Sequence, residues 1–159
     1  MALNEIDTDH LRSAVGVARH ARINGNHPFG AVLADATGAE VLAAENSVVT
    51  GRDATGHAET NLVRQASVRF APEELAECTL YTSTEPCAMC SGAIYWSGIG
   101  RVVFAMSEAE LRSMTEANPE NPTLALPCRE VFARGQREIV VDGPVDLPEA
   151  RAAHVGFWN

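Results

Sequence analysis

His57-Ala58-Glu59 and Pro86-Cys87-Ala88-Met89-Cys90 are the residues of this chain best suited to chemistry. An imidazole and two thiols are three metal ligands. Zinc held by three protein side chains keeps a fourth coordination position for water, and water so placed has its pKa lowered to about 7. Two thiolates and a neutral imidazole balance the charge of Zn2+ and suit its borderline softness. Glu59, two positions after His57, does not share its helical face. It is therefore assigned to proton transfer and not to the metal. One zinc ion per chain is expected. The chemistry this set equips is hydrolysis of a C–NH2 bond on a ring.

The elements that must position these groups can be read around them. Cys87 and Cys90 share a face if they lie on a helix. With Pro86 in the first turn, both thiols sit where free N–H groups and the helix dipole favour thiolate. His57 opens a second helix and meets the same ion from there. Two other readings compete. A structural zinc site would need a fourth protein ligand, from Cys78 or Cys128, but both are expected to be buried free thiols. A redox C-x-x-C pair would explain neither His57 nor Glu59.

The pattern predicts a helix over 7–24, capped by Asp7 or Thr8, then strands over 29–34 and 40–45 joined by a turn. A loop through Asp53 leads to a helix over 57–68. A strand over 78–82, a helix over 87–96 and a strand over 101–105 follow. Ser107 with Glu110 predicts a capping box on a helix over 107–113. Residues 117–127 read as a loop, 129–133 as a short helix, 138–141 as a fifth strand and 147–154 as a last helix. Alternating strands and helices predict one α/β domain over 1–159, with helices on both faces of a sheet. The long connection between strands four and five allows them to run parallel.

The H-x-E…P-C-x-x-C pattern is a signature of zinc-dependent nucleobase deaminases. From about Pro28 to Ala105 the chain resembles the cytidine and deoxycytidylate deaminase superfamily, in the branch of guanine, fungal cytosine and tRNA adenosine deaminases. Pro28-Phe29-Gly30-Ala31-Val32-Leu33 is similar to a first strand of that branch. Asp53-Ala54-Thr55-Gly56-His57-Ala58-Glu59 resembles D-P-T-A-H-A-E, with Ala54 and Gly56 as departures. Thr82-Ser83-Thr84-Glu85-Pro86-Cys87-Ala88-Met89-Cys90 and Ser91-Gly92-Ala93-Ile94-Tyr95-Trp96 also follow the family pattern. The resemblance implies a three-layer α/β/α cytidine deaminase-like fold with a five-stranded mixed sheet, and a homodimer. It implies that Asn46 bonds the ring, Phe29 walls the pocket and Trp96 lies near the base.

The chain departs from guanine deaminases after the fourth strand. Their G-F-D-D segment is absent, and Ser113-Met114-Thr115-Glu116 and Asn118-Pro119-Glu120-Asn121-Pro122 stand there instead. Glu116 or Glu120 could read a ring N–H, with solvent exposure the default for either. The terminal Phe157 and Trp158 suggest a lid over a flat substrate, or packing of the last helix. The net charge is −9, and no basic cluster is present to hold phosphates, which disfavours a polynucleotide partner. The N-terminal residues show no basic stretch leading into an apolar run, so a cytoplasmic location without membrane insertion is expected. The resulting expectation is hydrolytic deamination of a free nucleobase or related small heterocycle. Guanine comes first, with cytosine, isoguanine or an aminotriazine possible in the same pocket. The rivals are a tRNA adenosine deaminase and an inactive zinc-stabilised binding module.

Overall fold

The structure, a computed structural model, describes residues 2–159. Helix α1 (Glu5–Ile23) precedes strands β1 (Gly30–Ala34) and β2 (Glu40–Glu45). A short helix α2 (Val48–Gly51), α3 (Ala58–Arg69) and the single turn α4 (Pro72–Leu75) lead to β3 (Thr79–Thr84). Then come α5 (Ala88–Ser97), β4 (Arg101–Met106), α6 (Glu108–Thr115), α7 (Cys128–Ala133), β5 (Val140–Asp142) and α8 (Pro148–Ala152).

The sheet order is β2-β1-β3-β4-β5. β1 pairs antiparallel with β2 and β3, while β3, β4 and β5 run parallel. The sheet is mixed and five-stranded, with strands four and five parallel, as expected. Strand side chains alternate between the two faces. Ala31, Leu33, Leu80, Val102 and Phe104 pack with Leu62 and Ala66 of α3, Ile94 of α5 and Phe132 of α7. Val32, Ala34, Tyr81, Val103 and Ala105 pack with Leu11, Ala14 and Val15 of α1 and Ala150 of α8. These are the two outer layers of an α/β/α sandwich. α1 lies so close on β1 that a Cβ at Gly30 would come within 2.4 Å of the Ala14 carbonyl oxygen.

The sequence places several boundaries a few residues away from where they fall. α1 starts earlier than predicted because Asn4, not Asp7 or Thr8, is its cap. Asn4 Oδ1 accepts from the Asp7 N–H at 2.9 Å, and Asp7 Oδ2 accepts from the Asn4 N–H at 3.0 Å. Asp7 is in fact a buried anchor. Its Oδ1 accepts from Tyr81 Oη at 2.7 Å and from Arg101 Nη1 at 2.8 Å, and Arg101 Nε donates onward to Asp142 at 2.9 Å. This network ties α1 to three strands. Burial alone would raise the Asp7 carboxyl, but the bonds from Arg101, Tyr81 and the Asn4 N–H outweigh it and hold the pKa below its ordinary value.

Breaking a buried pair from one side leaves a charge uncompensated. Asp7→Ala is therefore expected to destabilise the fold by about 3 kcal/mol in urea unfolding at neutral pH. In the parent protein the Asp7 contribution is complete above the ordinary carboxylate pKa of about 4 and disappears as pH falls through the depressed value. An unfolding midpoint in Asp7→Ala equal to the parent's would remove this role.

β3 runs to Thr84, further than predicted, and Glu85 extends it through its N–H to the Met106 carbonyl at 2.7 Å. Helix α5 therefore begins after Cys87, and Pro86 precedes the cap instead of lying in the first turn. β5 and α8 are both shorter than predicted. Among the described residues, no helix is long and apolar enough to cross a membrane.

Candidate active site

β1 is antiparallel to β3, so Phe29 at the start of β1 lies beside the end of β3. The N-termini of α3 and α5 meet at the same sheet end. His57 is the N-cap residue of α3 and Cys87 that of α5. His57 Nδ1 lies 3.5 Å from both Cys87 Sγ and Cys90 Sγ. The three ligand atoms fall within 4.8 Å of one another, and no fourth His, Cys, Asp or Glu among the described residues joins them. A tetrahedral zinc ion with its usual bond lengths sets nitrogen and sulfur about 3.5 Å apart, so this donor set fits zinc without rearrangement. Cys78 and Cys128 are buried free thiols outside the group.

The hydrogen bond with Cys87 raises the His57 imidazole, and the same partner together with burial pushes the Cys90 thiol up, so the three side chains share charge unevenly. One thiol of the Cys87–Cys90 pair is strongly acidified, with Cys87 drawn down to about 4 by the hydrogen bond from Cys90 and by His57, against the effect of burial. Thr60 Oγ1 lies 3.2 Å from Cys90 Sγ and supports that sulfur from outside.

Glu59 is 5% exposed and lines the adjacent cavity without joining the triad. Thr82 Oγ1 donates to Glu59 Oε1 at 2.7 Å, and the same hydroxyl lies 2.9 Å from the Thr84 carbonyl oxygen. Burial and the Cys87 charge push the Glu59 carboxyl up from its ordinary value.

The cavity has a volume of about 350 Å3. Asn46, Phe29, His57, Glu59 and Cys87 all line it. Asn46 Oδ1 accepts from the Val48 N–H at 3.1 Å, so the turn occupies one end of the amide. Its Nδ2 has no protein partner among the described residues and is free for a ring acceptor. Gly56, a departure from the family pattern, sits against Ser47, where a Cβ would come within 2.9 Å of Ser47 Oγ.

Two aromatic residues lie elsewhere than expected. Trp96 is 84% exposed and is not part of this chain's cavity. It lies roughly two and a half helical turns beyond Cys87, which rotates it to the other side of α5. Trp158 is buried but stands behind the cavity wall, with its ring 5.3 Å from that of His27 and 6.1 Å from that of Phe29. Its Nε1–H donates to His154 Nδ1 at 3.1 Å. Burial, with Arg22 nearby, pushes His154 down to about 4, so this imidazole is neutral at physiological pH. The terminal aromatics thus brace the wall and do not cover the opening.

Sequence reasoning missed His27, Glu85 and Glu108, which also line the cavity. Glu85 lies inside the T-E-P-C motif. Its Oε2 accepts from the Glu108 N–H and its Oε1 from the Cys128 N–H, each at 3.0 Å, so it pins the starts of α6 and α7. Glu120 is 63% exposed, as expected, and also lines the cavity.

Comparisons with known proteins agree with this geometry. A probable cytosine deaminase of Schizosaccharomyces pombe is 43% identical over 157 residues, covering 99% of this chain and 95% of that protein. A guanine deaminase of Bacillus subtilis is 42% identical over 83 residues, covering 52% of this chain and 53% of that protein. A solved structure of guanine deaminase from Nitrosomonas europaea matches with a TM-score of 0.76 at 25% identity, covering 96% of this chain and 84% of that one. The cytidine and deoxycytidylate deaminase zinc-binding region matches residues 4–106, a span holding all three metal ligands and Glu59. By that match, and by a His/Cys/Cys group built to take one zinc ion, the chain belongs to the cytidine and deoxycytidylate deaminase family.

Proposed function

We propose that this protein hydrolytically deaminates a free nucleobase or a closely related amino-heterocycle, as one domain over 1–159. The observation that carries this reading is the lining of the cavity. Glu59, Glu85, Glu108 and Glu120 line it, and no Lys or Arg does. Such a wall repels phosphates, which nucleotide and polynucleotide ligands would bring and which need cationic partners. It suits a neutral ring rich in N–H donors. Guanine heads the candidates. Cytosine stands beside it because the relative that matches nearly end to end carries that name.

In this reading Phe29 packs on the ring and the Asn46 amide N–H donates to a ring acceptor. Zinc held by His57, Cys87 and Cys90 supplies the Lewis acidity that makes water a nucleophile near neutral pH. Glu59 takes a proton from the attacking water and delivers it to the ring nitrogen beside the attacked carbon. It then carries the remaining hydroxyl proton to the amine, which leaves as ammonia while the carbonyl forms. Thr82 keeps the carboxylate in place through this exchange. The homodimer belongs to the same proposal, supported by exposed Val68 on α3 and Trp96 on the neighbouring α5, which are 88% and 84% exposed.

The test is ammonia release by the zinc-loaded protein from guanine, cytosine, isoguanine, an aminotriazine, guanosine, cytidine and a tRNA. One free heterocycle is expected to exceed every nucleoside and the tRNA in kcat/KM by at least about 100-fold. Salt-sensitive activity on tRNA alone would establish the rival reading.

A further inference from the structure

A second wall of the cavity is closed by a cycle of contacts between segments far apart in the chain. Asn118 Nδ2 donates to the Trp158 carbonyl at 2.7 Å. Asn118 Oδ1 accepts from the Glu120 N–H at 2.9 Å. Glu120 Oε2 lies 3.2 Å from His27 Nε2. The His27 ring in turn meets the edges of Trp158 and Phe157, at 5.3 Å and 5.8 Å between centroids. His27 is only 8% exposed, its ring is packed by the terminal aromatics, and it offers the more exposed Glu120 carboxylate a fixed contact point. Glu120 Oε1 has no protein partner among the described residues, and both residues line the cavity.

We propose that Glu120, positioned by His27, is the residue that reads the ring: its free Oε1 accepts an N–H of the heterocycle, so the cavity takes unsubstituted rings and refuses their N-glycosides. This rests on the free-heterocycle reading above and names the group that enforces it. The other three carboxylates are less suited. Both oxygens of Glu85 are taken by backbone N–H groups. Glu59 is held by Thr82 and serves proton transfer. Glu108 is pushed up to about 7 by burial and by the nearby Cys87, Glu85 and Glu59 charges, which weakens it as an anionic acceptor at neutral pH. A hydrogen bond to a charged acceptor is among the stronger ones. A site built around such a bond discriminates sharply against a ligand that lacks the donor.

The experiment measures kcat, KM and tryptophan-fluorescence binding for free guanine, cytosine, isoguanine and an aminotriazine, and for guanosine and cytidine. It compares the zinc-loaded parent with Glu120→Gln, Glu120→Asp and His27→Gln. Glu120→Gln is expected to raise KM for the accepted base about 10- to 100-fold, with kcat within about 3-fold. It should also narrow the preference for the base over its nucleoside. Glu120→Asp should recover part of the loss, and His27→Gln should show a smaller loss in the same direction. Thermal midpoints should stay together for the Glu120 variants, because that side chain is 63% exposed. A parent that deaminates a base while Glu120→Gln keeps the same KM and the same base-to-nucleoside ratio overturns this inference alone. A parent that neither binds nor deaminates guanine, cytosine, isoguanine or the aminotriazine overturns it together with the free-heterocycle reading.

Discussion

Replacing Glu59 by glutamine is expected to lower kcat by at least about 1,000-fold while the protein keeps its zinc. The expectation follows from position. His57, Cys87 and Cys90 form the group that could hold the metal, and Glu59 stands outside it while facing the same cavity. Glutamine keeps the size and can still bond Thr82, so the cavity should hold its shape. It cannot accept a proton from water or pass one to a ring nitrogen, and both transfers therefore lose their carrier. KM should change little, because the proposed substrate contacts lie on Asn46, Phe29 and Glu120. Metal analysis beside ammonia release checks both halves. Unchanged kcat would remove the proton shuttle, and loss of zinc would mean that Glu59 is a ligand.

Cys90→Ala is expected to remove zinc and to bring activity to background. Cys90 is fully buried, lies at 3.5 Å from His57 Nδ1 and is backed by the Thr60 hydroxyl. Alanine leaves one thiol and one imidazole, too few protein donors for a zinc site of this kind. The loss should also appear in stability, because a metal that binds only the folded chain stabilises it by mass action. The parent treated with a chelator should match Cys90→Ala in thermal midpoint, and added zinc should restore the parent but not the variant. A variant that retains one zinc per chain and full activity would mean that another side chain completes the site.

The metal triad and Glu59 are legible in the sequence because zinc chemistry demands particular residue types at short fixed spacings. The sheet is legible for a different reason: β1 and β4 are buried on both faces and so read as short, nearly continuous apolar runs. What escapes is set by contacts between distant segments. Asp7 looks like a cap, yet its partners are Tyr81 and Arg101. His27 carries no local signal in the sequence, and its place beside the cavity emerges only when the 117–124 loop and Trp158 fold against it. Trp96 follows a familiar motif, but the rotation of α5 turns it outward. The short helix α2 is held from outside, with Asn26 Oδ1 accepting from the Val49 and Thr50 N–H groups, and no local periodicity announces it.

X-ray absorption at the zinc edge of the purified protein tests the central claim most directly, because it counts the ligands around the metal. The account predicts two sulfurs, one imidazole nitrogen and one further light atom from solvent, exchangeable for small anions. Three or four sulfurs, or a sphere filled entirely by protein side chains, would contradict it.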